Sequence, residues 1–209
     1  MTAVGLAGQQ ATANFPAKAG SQVPRRREQI VRTFHDICLE KGYAHITIGD
    51  ITRKIGITRS LFYHYFRNKE DVAAAVLDDA TNTIIAKLDT WNGERETGNI
   101  DKALDDLVTL MRAIINDEGP FSKRMVQSGN GALYIQFVDQ MSERVADYIC
   151  STTVKDFERI HSGLPVRHIK ETLMILISGS VALLREQPQV DDATIKEIVA
   201  QTLHLEAYI

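Results

Sequence analysis

The chain of 209 residues lacks several things on which whole classes of protein depend. It has two cysteines, Cys38 and Cys150, far apart, so neither a disulfide framework nor a cysteine-based metal spacing exists. Its longest mainly apolar run, Leu173 to Leu184, falls well short of the roughly 20 residues that span a bilayer. That run reads as a buried helix, and no membrane partner is expected. No basic start followed by an apolar run marks a secretory signal, so a reducing cytoplasm is the expected location. There is no Gly-rich phosphate loop and no nucleophile motif. Adjacent carboxylates occur at Asp78-Asp79, Asp105-Asp106 and Asp191-Asp192, but neighbours on a helix point about 100° apart and form no single site. His161 and His168 are separated by Pro165, which spoils a shared helical face for a metal. No enzyme activity, cofactor or metal is therefore expected. Period-2 alternation is missing as well, so the fold should be all-α, with about nine helices.

What is present is ordinary globular chemistry. The chain is 44% hydrophobic and 24% charged, enough at this length to bury a core. Its net charge of −3 conceals a split. Residues 25–70 carry ten Lys/Arg against five acids, and residues 71–209 carry thirteen against twenty-two. A basic head on an acidic body suits phosphate binding through one end; chance on solvated surfaces is the competing reading.

Residues 1–24, rich in Ala, Gly, Gln and Ser with Pro16 and Pro24, show no periodicity and are expected to form a flexible tail. A first helix is expected over 25–41, with Ile30, Phe34, Ile37 and Cys38 on one face and Gly42 as its stop. Thr47-x-x-Asp50 is a capping-box signal. Ile48, Ile51 and Ile55 follow on a buried side, and Gly56 permits a sharp turn. Thr58 caps a helix carrying Leu61, Phe62, Tyr65 and Phe66, with Phe62 and Phe66 inside and Tyr63 outside. Asn68 caps again, three residues before Asp71. Three N-cap signals within about 25 residues exclude strands and a single long helix, and leave a helix-turn-helix, whose second helix can enter a DNA major groove. Further helices are expected over 68–91, 100–117, 121–127, 132–161, 166–186 and 192–206. Polar or Gly/Pro breaks at 93–99, Gly119-Pro120, Gly163 to Pro165 and Pro188 separate them.

The residues from Thr47 to Val72 resemble the DNA-binding head of the tetracycline-repressor (TetR) family of bacterial regulators. The resemblance rests on Lys41-Gly42-Tyr43, Thr47 with Asp50-Ile51, Gly56-Ile57-Thr58-Arg59, Phe62 to Phe66 and Asn68-Lys69-Glu70. It is close over about 25–72; beyond that only length and helical layout agree. Ser60 stands where many members have glycine and Arg67 where many have proline. Gly49 is unusual inside a short helix and should weaken it by about 0.5–1 kcal/mol relative to alanine.

The resemblance implies a three-helix helix-turn-helix head over 25–71 and a larger helical body over 72–209 for ligand binding and dimerisation. Thr58, Arg59 and Ser60 open the second helix, whose first turn meets base edges. Arg59 can bond guanine in bidentate fashion, or else contact phosphate or water. Tyr63 and His64 resemble the family's backbone contacts, against a core role for most rings of the cluster. Thr47 can present its hydroxyl and helix-start amides to phosphate, or act as a cap alone. Lys69 matches the family's phosphate lysine by position. Arg25, Arg26 and Arg27 can reach the backbone or a minor groove, or form a solvated run.

In the body, Leu104, Met111, Met125, Phe137, Met141 and Tyr148 read as ordinary core or as the lining of an inducer pocket. Ile169, Leu173, Leu176, Ile177, Val181 and Leu184, with Ser178-Gly179-Ser180 allowing close approach, read as a homodimer face or as a seal for the monomer core. The expected function is that of a ligand-responsive transcriptional regulator, a repressor that releases a palindromic double-stranded DNA operator when a small-molecule effector binds. The alternative is a DNA-binding regulator whose body binds a protein partner.

Overall fold

The computed structural model describes residues 22–115, 130–161, 163–164 and 166–209. The expected short helix over 121–127 and nearly all of the expected tail lie outside them.

The first helix, α1 (Gln22–Lys41), begins three residues earlier than expected, so 22–24 belong to a helix. A 3-10 turn at Tyr43–His45 leads into α2 (Ile48–Ile55) and α3 (Arg59–Tyr65). Ile30, Phe34 and Ile37 of α1, Ile51 of α2 and Phe62 of α3 are buried together with Phe66. Val72, Ala73 and Ala75, from the start of α4 (Lys69–Glu94), close that core. Cys38 lies among them, and burial pushes its thiol pKa up to about 12.

The helix α4 does not stop at Trp91 but runs through Gly93 to Glu94, and the polar break is confined to 95–99. Its second half contributes Leu77, Ile84 and Leu88 to a second core. That core is completed by Phe137, Met141 and Val145 of α6 (Gly131–Ser151) and Val181 of α8 (Ile169–Glu186). The helix α5 (Ile100–Ile114) packs on α9 (Asp192–Leu203) through Leu104, Val108, Ile195 and Val199.

The single helix expected over 132–161 is broken at Thr152, giving α6 and α7 (Thr153–Ile160). Thr152 has φ −123° and ψ −84°, and its hydroxyl donates to the Tyr148 carbonyl at 2.7 Å. Hydroxyls that satisfy a preceding carbonyl compete with the helical ladder. The last helix ends at Leu203 rather than 206, because His204 takes a left-handed conformation (φ 55°) and its N–H turns back to Ala200 and Gln201. No strand occurs among the described residues, and no helix among them is long and apolar enough to cross a membrane.

Candidate nucleic-acid interface and interior cavity

Two well-formed N-termini hold the helix-turn-helix in shape. The Thr47 hydroxyl accepts from the Asp50 N–H at 3.2 Å and donates to Asp50 Oδ2 at 2.8 Å; the Thr47 N–H donates to the same oxygen at 2.9 Å. Lys41 Nζ donates to that oxygen at 2.7 Å. The Lys41 ammonium and then the Thr47 bonds hold the Asp50 carboxyl far below the usual carboxylate range. Thr58 accepts from the Leu61 N–H at 3.2 Å and starts α3. Between the two helices Gly56 adopts φ 66°, a conformation that a Cβ disfavours.

This scaffold leaves Thr58, Arg59, Ser60, Tyr63 and His64 exposed along α3. Tyr63 is 54% exposed, with its ring edge-on to the buried Phe62. Phe62 and Phe66 are inside, as their spacing indicated. Arg27 lies over the Phe66 ring at 5.3 Å, which brings the basic end of α1 to the end of α3. Arg25 and Arg26 are exposed, and Arg26 donates to Gln29 at 2.8 Å. Arg53, not singled out from the sequence, is 82% exposed and only loosely paired with Asp50 at 3.8 Å. Its place in the last turn of a short helix before the turn was the available signal.

Two residues differ from the simple expectation. Thr47 is exposed, but its hydroxyl is committed to Asp50 in both directions. Lys69 is half-buried: its ammonium donates to the Tyr43 carbonyl at 3.2 Å and sits 4.2 Å from the Tyr43 ring centroid. It therefore braces the turn after α1 besides offering charge. Arg67, at the position where many family members have proline, fastens to Asp71 through Nε (2.7 Å) and Nη2 (2.9 Å).

The body contains a cavity of about 210 Å³. Its walls are Ile84, Leu88 and Trp91 of α4, residues of α5, Met141 and Val145 of α6, Phe157 of α7 and Leu176 and Ile177 of α8. Of the expected lining, Leu104, Met111 and Met141 face it. Phe137 does not; it is buried against α4 and beside a separate cleft toward α1. Tyr148 turns away and donates to Asp89 at 2.9 Å, and Met125 lies outside the described residues.

The expected dimer face is also rearranged. Leu173, Val181 and Leu184 are buried within their own chain, since α8 packs against α6 and α9. Ile169, Leu176 and Ile177 are half-buried, the latter two on the cavity. Ser178 meets Ser142 of the same chain at 2.8 Å, so this close approach is internal. The outward residues are Ile175, 74% exposed, with Gly179 and Ala182 following on the same helix, and Ile198 of α9, 38% exposed. Among the described residues, no cluster of three or more His, Cys, Asp or Glu has the geometry for a metal.

Residues 36–76 match the family model described as "Bacterial regulatory proteins, tetR family". The uncharacterised helix-turn-helix-type transcriptional regulator YxbF of Bacillus subtilis (strain 168) is 35% identical over 96 residues, which is 46% of this chain and 25% of that protein. The chain thus spans about a quarter of that relative's length. The helix-turn-helix-type transcriptional regulator SrpR of Pseudomonas putida is 22% identical over 208 residues, covering 87% of this chain and 97% of that protein. A solved structure of a tetR-family transcriptional regulator from Streptomyces coelicolor superposes with a TM-score of 0.58 at 19% identity, over 88% of this chain and 82% of that one. At that identity the likeness speaks for the fold. Motif and matched model agree on the head: residues 36–76 carry the helix-turn-helix of the tetR family of bacterial regulatory proteins, and the chain as a whole is similar in sequence and fold to transcriptional regulators of that kind.

Proposed function

We propose that the chain is a ligand-responsive repressor. Residues 25–71 form its DNA-binding domain and residues 72–209 its ligand-binding and dimerisation domain. Two copies related by a two-fold axis read the half-sites of a palindromic operator. Arg59 reads a base edge, with Thr58 and Ser60 beside it. Tyr63, His64, Lys69, Arg25 and Arg26 hold the phosphate backbone, and Thr47 serves chiefly as a cap. Pairing uses the outward faces of α8 and α9 around Ile175, Gly179 and Ile198.

The observation that carries this reading is the continuity of α4. Val72 and Ala75 belong to the core beneath the helix-turn-helix, and Ile84, Leu88 and Trp91 of the same helix wall the cavity. A molecule that favours one cavity shape tilts α4 and alters the spacing of the two heads. Half-sites lie about 34–36 Å apart, so a mismatch of a few ångströms weakens both contacts together. Coupling of about 1–3 kcal/mol is usual for such linkage. A body built only to bind a protein partner would be closed and fully packed, and the cavity argues against that alternative.

Selection of bound duplexes from a random pool tests the proposal. The expected product is a palindrome with half-sites one helical turn apart, bound by two chains. A single unpaired site, or no enrichment, refutes it.

A further inference from the structure

The chemistry of the cavity indicates what it accepts. Resting on the effector-binding reading above, we infer that its ligand is a neutral, mainly apolar molecule of one or two rings, bearing an oxygen that accepts a hydrogen bond from the Trp91 indole N–H.

Size comes first. A hydrocarbon-lined cavity of about 150 Å³ stays dry and holds benzene. The present cavity, at about 210 Å³, accommodates a ring with a short substituent.

Charge comes second. The charged wall residues Arg95 and Asp156, with Thr153, lie where α4 meets α7 and are already engaged. Of the other polar wall side chains, His161 packs against the Phe157 and Tyr208 rings and Ser180 is a neutral hydroxyl on α8. Arg95 donates through Nη2 to Asp156 Oδ2 at 2.7 Å and through Nε to Asn92 Oδ1 at 3.0 Å. Asp156 also receives Arg159 at 2.5 Å, and the Thr153 hydroxyl donates to Asn92 at 2.8 Å. An incoming carboxylate must displace Asp156 from Arg95, and an incoming ammonium must displace Arg95 from Asp156. Either exchange costs a partly buried charge its partly buried partner, since Asp156 then keeps only the exposed Arg159 and Arg95 only the neutral Asn92, and this disfavours charged ligands.

The hydrogen bond comes third. Among the described residues, Trp91 Nε1 is the one buried side-chain nitrogen or oxygen without a hydrogen-bond partner. Trp91 is a wall residue of this cavity. A buried N–H left unpaired carries a penalty that an acceptor of suitable position removes. The N–H is itself covered, so a small turn of the indole within the wall must bring it to the ligand; a ligand with a carbonyl or ether oxygen then gains this contact, and a hydrocarbon of the same shape does not.

Three probes of similar shape separate these demands: acetophenone, cumene and benzoate. Their binding to the full chain is measured by calorimetry. Acetophenone should bind about tenfold more tightly than cumene, the difference expected of one such bond, and benzoate more weakly than either. Trp91 is the chain's one tryptophan, so its fluorescence should change as acetophenone binds. Trp91→Phe keeps a ring but removes the N–H; it should abolish the preference for acetophenone over cumene. Absence of acetophenone binding, cumene binding as tightly as acetophenone to the natural chain, or benzoate binding most tightly overturns the inference. The comparison on the natural chain stands even if the variant fails to fold.

Operator release is scored separately. Acetophenone binding without release upholds the cavity chemistry and counts against the effector reading. Release by a charged compound, with no acetophenone binding, does the reverse.

Discussion

The Tyr43 N–H donates to Asn130 Oδ1 at 2.5 Å, a bond that ties the turn after α1 to the residue just before α6. The same asparagine donates through Nδ2 to the Cys38 carbonyl at 3.4 Å and is 1% exposed. One side chain thus satisfies a donor and an acceptor at the end of α1 from 87 positions away. Asn130→Ala should cost about 1–3 kcal/mol, because it takes the acceptor from the Tyr43 N–H, while the Cys38 carbonyl keeps the Gly42 N–H at 3.0 Å. Asn130→Asp keeps the acceptor for Tyr43 but sets an anion against the Cys38 carbonyl, so it should destabilise as well. Urea denaturation of the three proteins checks this. Equal midpoints would show that the contact contributes nothing.

Gly49 and Arg59 set stability against recognition. A Cβ built on Gly49 would lie 3.3 Å from Arg59 Nη2, so the missing side chain makes room for the guanidinium. Gly49→Ala should raise the stability of α2 by up to about 0.5–1 kcal/mol. It should also push the Arg59 tip aside and lower operator affinity. A variant that melts higher yet binds more weakly is the expected outcome; a gain in both would show that Arg59 does not need that space.

Arg59 and Lys69 should fail in different ways when truncated. Arg59→Ala should relax sequence preference at one base position, at about 1–3 kcal/mol of discrimination. Lys69→Ala should weaken binding to every sequence and flatten the salt dependence by about one unit of slope. Because Lys69 also holds the Tyr43 carbonyl, that variant should in addition lose some thermal stability, which Arg59→Ala should not. Binding titrations at several salt concentrations, with melting curves alongside, distinguish the two patterns.

Acid should loosen the head through Asp50. Its carboxyl titrates below the usual range because of Lys41 first and Thr47 next. A group depressed in the folded state binds fewer protons there than in the unfolded state. Its contribution is therefore complete above the ordinary carboxylate range and declines as the pH falls through and below it. Asp50→Asn should be less stable than the natural chain near neutral pH, and the gap should narrow as the pH drops below about 4. Denaturation midpoints measured from pH 3 to pH 7 provide the test.

The contrast between short-range and long-range features explains what could be read from the sequence. The caps at Thr47, Thr58 and Asn68 were legible because each depends on a partner three residues away. The inward Phe62 and Phe66 were legible because helical spacing alone sets their face. The break at Thr152 was not, since no glycine or proline marks it and Thr153 is held by Asn92 from another helix. The side of α8 that faces inward was hidden for a different reason. Leu173, Val181 and Ile175 are equally apolar, and only packing against α6 and α9 decides which of them is covered. Trp91 was recognisable as apolar, but the absence of a partner for its indole N–H depends on everything around it. Asn130 sat in a polar Gly/Ser stretch that reads as a connecting segment, and its partners are distant in sequence.

The unbroken run of α4 through both cores has a consequence for how the protein denatures. Loss of its first two turns strips Val72, Ala73 and Ala75 from beneath the helix-turn-helix, while those turns are held in line by the anchored remainder. The amino-terminal lobe should therefore show no separate melting transition of its own. A protease should find no cleavable hinge between the lobes along α4, and fragments ending near residue 68 should be degraded rather than accumulate.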